Sequence, residues 1–177
     1  MNKVRGLRCA VFSVAILSAG LTRPVLAQED EVGIALGARP PVAQVQDLDG
    51  HAVDLGTAIG KKPVLLEFWA TWCPRCEALV PKMEAARARY GSQVSFVAIA
   101  VAVGQTPAAI KRHLTRHPIP FRVFWDADGN AVRAFQAPAT SFVVVLDGEG
   151  KVVYTGIGEE QDVEAAVRRV VGDGRGR

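Results

Sequence analysis

Val64–Leu65–Leu66–Glu67–Phe68–Trp69–Ala70–Thr71–Trp72–Cys73–Pro74–Arg75–Cys76 is the stretch on which the rest of the chain is organised. Its first six residues form a short, almost continuous apolar run, the pattern of a central strand buried on both faces. Two cysteines follow at the predicted start of a helix. Three residues apart, they sit one turn apart on the same helix face. At that spacing they can close a small disulfide ring and reopen it, which points to reversible dithiol–disulfide exchange.

The neighbouring residues suit that chemistry. Cys73 falls at the helix N-terminus, where unpaired backbone N–H groups and the helix dipole favour an anion. The thiolate is the attacking species, and its pKa is lowered there. Pro74 occupies the first helical position, where its missing N–H costs nothing. Arg75 adds positive charge near both sulfurs and is expected to stabilise the thiolate, and so the reduced form, making the couple more oxidising. Trp69 and Trp72 supply apolar surface that limits water access. Glu67 interrupts the strand, and a buried acid is expensive unless it is neutral or paired. Either burial raises its pKa into the range of a general acid–base, or it pairs with Lys61 or Lys62 at the sheet edge.

A bare C-x-x-C could equally be half of a zinc site; the preceding apolar strand and the flanking aromatics argue for a redox motif. Phe68–Trp69–Ala70–Thr71–Trp72–Cys73–Pro74–Arg75–Cys76 resembles the active-site segment of the thioredoxin superfamily. It is most similar to the periplasmic TlpA/ResA-like thiol–disulfide proteins, which often carry Trp-Cys-Pro-x-Cys. The resemblance implies a thioredoxin-like α/β fold: a central mixed β-sheet flanked by helices, with an N-terminal β-hairpin and a helix–strand insertion. It implies that Glu67 lies beneath the disulfide and relays protons to and from Cys76. It also implies a cis-proline before the strand facing the cysteines, holding the partner peptide. Pro138 is the candidate, although it stands four residues before Phe142, and the family's usual offset of three falls on Ala139. No bound cofactor and no metal are expected. The implied partners are exported protein thiols or disulfides, such as apocytochrome c, and a membrane thiol donor; the protein is expected to be a monomer.

Around this centre the chain divides simply. Residues 1–27 read as a signal peptide: Lys3, Arg5 and Arg8 precede an apolar run from Cys9 to Leu21, too short to span a membrane, and Val25–Leu26–Ala27 suits cleavage before Gln28. An uncleaved anchor is the alternative. Export, to the periplasm by the resemblance, implies an oxidising compartment. With Cys9 removed, Cys73 and Cys76 are the only cysteines, a functional couple and not a disulfide framework. The whole chain has 21 basic and 18 acidic residues. Four of the basic ones and none of the acidic ones lie in residues 1–27, so the remainder carries 17 against 18, a formal −1. That balance gives no reason to propose a nucleic acid or an anionic membrane as partner.

Residues 28–39 read as a flexible leader, 40–171 as one thioredoxin-like domain and 172–177 as a disordered tail. Within the domain, Val42 to Leu55 reads as a hairpin turning at Asp47–Gly50. The helix after Cys76 buries Leu79, Met83, Ala86 and Tyr90, contains Pro81 and stops at Gly91. Val94–Val101 is a second buried strand. Thr106–Pro107 opens a helix whose Lys111, Arg112 and Arg116 form a basic outer side. His113 and His117 are four apart on it, a metal-chelating spacing without a further Cys or His nearby in sequence. Asp126–Gly129 is a turn, because the twelfth position of a calcium loop starting there is Ala137. Strands from Val143 and Val152 form a second hairpin, and a last helix opens at Glu159–Asp162.

Two rival functions use other chemistry. A copper-handling thioredoxin-like protein would use the dithiol as metal ligand, but normally with a longer cysteine spacing and a matching His. A thiol peroxidase would carry Pro-x-x-x-Thr-x-x-Cys, which this sequence lacks.

Overall fold

A computed structural model describes residues 32–59 and 62–171. The expected signal peptide, the tail after residue 171 and Lys61 lie outside the described residues. The chain forms β1 (Gln44–Gln46), β2 (Ala52–Asp54), α1 (Leu55–Ile59), β3 (Val64–Trp69), α2 (Pro74–Tyr90) and β4 (Ser95–Val101). It continues through α3 (Pro107–Arg116), β5 (Arg122–Asp126), α4 (Asn130–Ala134), β6 (Phe142–Leu146), β7 (Val152–Ile157) and α5 (Val163–Arg168).

The strands make one sheet in the order β2-β1-β5-β4-β3-β6-β7. The centre, β5-β4-β3, is parallel, and β6, β7 and the β1–β2 hairpin are antiparallel. This is the mixed sheet the motif implied, with β3 near its middle. All six residues of β3 are buried. Alternation along the strand divides them between two cores. Leu65 packs with Leu79, Met83 and Ala86 of α2 and with Val163 and Val167 of α5. Leu66 and Phe68 pack on the opposite face with Phe135, Phe142 and Val144. Phe68 lies 5.6 Å from the Phe135 ring and 5.9 Å from the Phe142 ring, within the range of favourable aromatic pairing.

The expected helix–strand insertion is α3 and β5. Thr106 caps α3, its hydroxyl accepting from Ala109 N at 3.2 Å, with Pro107 at the first helical position. The Asp126 turn has a structural purpose. Asp126 is fully buried, and its two carboxylate oxygens accept from Ala131 N at 3.0 Å and Val132 N at 2.9 Å, tying β5 to α4.

The flexible leader expected over residues 28–39 does not hold for its second half. Ile34 is buried in the core and donates its N–H to Phe135 O at 3.1 Å. Gly37 N donates to Val152 O at 2.7 Å, and Val152 N to Ala38 O at 2.9 Å. Gly33 has φ +81, and a Cβ there would stand 2.5 Å from Phe142 Cζ, so the approach requires glycine. Ile34 is a single buried apolar anchor in a segment of mostly polar and small residues, which local composition does not mark. Gly91 does end α2, but in a right-handed conformation (φ −63), with its N–H bonded to Arg87 O, and not as a left-handed cap.

Replacing Asp126 by Ala removes the acceptor for two buried N–H groups. Urea denaturation is expected to show a loss of about 2–3 kcal/mol, the scale of a charged acceptor lost from buried donors.

Candidate active site

The junction of β3 and α2 places the cysteines. Cys73 N donates to Ala70 O at 3.1 Å, closing the turn that leaves the sheet. Cys73 is the N-cap of α2 in extended conformation (φ −97, ψ 101), and Pro74 begins the helix behind it. Cys73 and Cys76 form a disulfide, with Cα atoms 5.3 Å apart. Cys73 Sγ accepts from Cys76 N at 3.1 Å. The same N–H would stabilise a Cys73 thiolate once the disulfide opens, as the helix N-terminus does.

A second loop holds the redox turn in place. Thr71 N donates to Gln105 Oε1 at 2.9 Å, and Gln105 Nε2 donates to Val101 O at 2.7 Å. Trp72 Nε1 donates to Val103 O at 2.8 Å while about half of the residue stays exposed. The segment after β4 is thus bonded to the residues just before Cys73. Sequence reasoning missed Gln105, because its partner is 34 positions away and no local pattern marks it.

Beside the disulfide lies a cavity of about 250 Å³. Cys73, Cys76, Glu67 and Trp69 line it, as do His113 of α3 and His117 just past its end. Glu67 is 3% exposed. Period-two alternation puts it on the same face of β3 as Leu65, the face covered by α2. Burial pushes its carboxyl up to about 8. Among the described residues its Oε1 has no hydrogen-bond partner, and neither has Trp69 Nε1. Pairing with Lys62 does not occur: Lys62 Nζ donates instead to Ser92 O at 3.1 Å. Lys61, the other candidate partner, lies outside the described residues.

The other expected residues divide. Trp69 is buried in the cavity wall, 5.9 Å from the His113 ring, which itself stacks on His117 at 4.8 Å. Burial, with help from His117 and Arg116, holds the His113 imidazole below its usual pKa, against the opposing pull of Glu77. Arg75 is not a lone charge at the sulfurs, since its Nε pairs with Glu159 at 3.4 Å.

The expected cis-proline is a correction. No cis peptide bond occurs among the described residues. Pro138 and Ala139 are both exposed, and neither lines the cavity. Two residues flanking this segment adopt left-handed conformations, Gln136 with φ 50 and Ser141 with φ 56. The turn at Ser141 is held by Gly158 N donating to Ser141 O at 3.1 Å and by Gln161 Nε2 donating to Ser141 O at 3.0 Å. Among the described residues there is no group of three or more His, Cys, Asp or Glu placed to hold a metal ion, and no helix long and apolar enough to cross a membrane.

Glu67 gives a pH signature. A carboxyl whose folded pKa exceeds its unfolded value stabilises the fold fully below the unfolded value, and the benefit is lost as pH rises toward the folded one. Between about pH 4.5 and 8 the wild type should lose stability, by a few kcal/mol at most. Glu67→Gln should flatten that slope, as read from denaturant midpoints across the window.

Comparison with known proteins agrees with this geometry. The Redoxin family model matches residues 35–170. The chain is 28% identical over 160 residues to the thiol-disulfide oxidoreductase ResA of Geobacillus kaustophilus, covering 89% of this chain and 91% of that protein. It is 28% identical over 155 residues to ResA of Bacillus subtilis, covering 86% of each. Among solved structures, a thioredoxin-family thiol:disulfide interchange protein from Chlorobium tepidum superposes with a TM-score of 0.62 at 24% identity, over 78% of this chain and 99% of that one. A secreted disulfide oxidoreductase of Mycobacterium tuberculosis gives a TM-score of 0.57 at 26% identity, over 71% and 92%. The chain belongs to the Redoxin family of the thioredoxin superfamily and is a ResA-like thiol–disulfide oxidoreductase.

Proposed function

We propose that this oxidoreductase works outside the cytoplasm as a reductant of exported proteins, apocytochrome c or other exported thiol proteins among them. Residues 1–27 direct its export, and a membrane thiol donor recharges it. The observation that carries the mechanism is the buried, unpaired Glu67 sharing a cavity with Cys73 and Cys76.

In the reduced state the Cys73 thiolate attacks one sulfur of a partner disulfide. A mixed disulfide forms, and the partner's other sulfur leaves as a thiolate. Glu67 takes the proton of the Cys76 thiol. The Cys76 thiolate then attacks Cys73 Sγ, releasing the second partner thiolate and closing the Cys73–Cys76 disulfide. Two electrons have passed to the partner, and Glu67 returns its proton to a leaving thiolate. A carboxyl near 8 both accepts and releases a proton around neutral pH, which suits that alternation. Trp72 and Trp69 border the sulfurs on the solvent and cavity sides, and Pro74 and Arg75 set the local potential.

Equilibration with glutathione tests the direction. A reductant is expected near the thioredoxin value of about −270 mV; a value near −120 mV would make the protein an oxidant, a gap of about 7 kcal/mol for a two-electron couple. Cys73→Ser should abolish exchange. Cys76→Ser should trap the mixed disulfide, and full activity in either variant would refute the mechanism.

A further inference from the structure

The disulfide is a covalent tie across the redox turn, and exchange requires that it open. While it is closed, Cys73 is fixed to Cys76 and so to α2. Once it is open, only hydrogen bonds hold Cys73 at the helix N-terminus. Some lie within the turn itself: Cys73 N donates to Ala70 O, and Cys76 N and Glu77 N donate to Cys73 O. The tie from outside comes from the loop after β4.

Gln105 is the centre of that tie. It is an uncharged polar residue, only 9% exposed, and both ends of its amide are used. Its Oε1 accepts from Thr71 N at 2.9 Å, and its Nε2 donates to Val101 O at 2.7 Å. A buried amide is costly unless its ends are satisfied, so this side chain is fitted to these two partners. Val101 is the last residue of β4 and pairs with Asp126 of β5. Gln105 therefore fastens Thr71, two residues before Cys73, to the end of a central strand. The rest of the loop closes on the same turn. Trp72 Nε1 donates to Val103 O, and at Gly104 (φ +66) a Cβ would stand 3.2 Å from Trp72 Nε1.

The charges at the site lie elsewhere. Glu67, Glu77, His113 and His117 share the cavity with the cysteines, and Arg75 is paired with Glu159. The two amide bonds of Gln105 reach none of them, so replacing it by another neutral residue changes no charge at the sulfurs.

Resting on the mechanism proposed above, in which Cys73 attacks first, we infer that Gln105 is a positioning residue for Cys73. It holds the opened turn in the geometry where Cys76 N–H and the helix N-terminus stabilise the Cys73 thiolate. The brace is redundant while the disulfide is closed and counts only when it is open. It therefore favours the reduced form and makes the couple more oxidising than the unbraced turn would be.

The test replaces Gln105 by Met, an apolar side chain of similar length. Equilibrated with glutathione, Gln105→Met should have an equilibrium constant for reduction about tenfold lower than the wild type, a fall of about 30 mV in a two-electron potential. Alkylation of Cys73 near pH 6 should slow by about three- to tenfold, with the midpoint of its pH profile moved up and its alkaline plateau unchanged. Urea denaturation should show a larger stability loss in the dithiol state than in the disulfide state. Gln105→Asn keeps the amide but is one methylene too short to reach both partners; it should move the potential the same way and carries the measurement if the Met variant does not fold. Equal stability loss in both redox states with an unchanged potential marks a structural role and overturns the inference, as does a potential that rises. Peptide mapping of the alkylated protein separates the two levels of the argument. If the low-pKa thiol of the wild type is Cys76, the mechanism itself fails and this role with it. If it is Cys73 and its pH profile does not move in the variants, only the positioning role fails.

Discussion

β3 is covered on both faces, and most of the molecule follows from that burial. A strand with no solvent face must bond to strands on both edges, which β4 and β6 provide. It must also have a core on each side, which α2 with α5 and α4 with Phe135 provide. The chain can leave such a strand only at its end. There it turns at Ala70–Cys73 and enters α2 with the helix N-terminus at the surface. The disulfide therefore sits where a buried strand, an exposed helix dipole and a cavity meet.

The same burial makes Glu67 unusual. At a strand position on a protein surface it would be an ordinary ionised carboxylate. Inside the sheet, with one oxygen unpartnered, it is held neutral until pH approaches about 8. The fold accepts a cost in stability at neutral and alkaline pH, and the site gains a group able to exchange protons around neutral pH. Rigidity around it comes from elsewhere: Gln105 and Val103, at the end of β4, hold Thr71 and Trp72 by hydrogen bonds. The redox turn is braced both by the segment after the neighbouring strand and by its own helix, through Cys76 N on Cys73.

Several parts of this arrangement are legible in the chain itself. The apolar run from Val64, the cysteine spacing, Pro74 and the Thr106–Pro107 helix start each carry local physical reasons, and each element stands where those reasons put it. The packed segment at Ile34, the Gln105 brace and the place of His113 and His117 at the cavity are not legible in that way. Each depends on a partner far away in sequence: Phe135, Thr71 and the cysteines respectively. Pro138 shows the same limit in reverse. The local pattern marked it as a site residue, and the fold leaves it exposed and outside the cavity that Cys73 and Cys76 line.

The sequence by itself determined the chemistry: two cysteines one helical turn apart at a helix start, behind a strand apolar enough to be central. Those are short-range facts, because helix dipole, capping and periodicity act within a few residues. Only the tertiary structure decided what surrounds that chemistry. It left one oxygen of Glu67 without a partner among the described residues, gave Arg75 a counter-charge in Glu159 and brought His113 and His117 to the cavity beside the disulfide. Burial and charge pairing are set by which distant segments the fold brings together, and no window of sequence contains both partners.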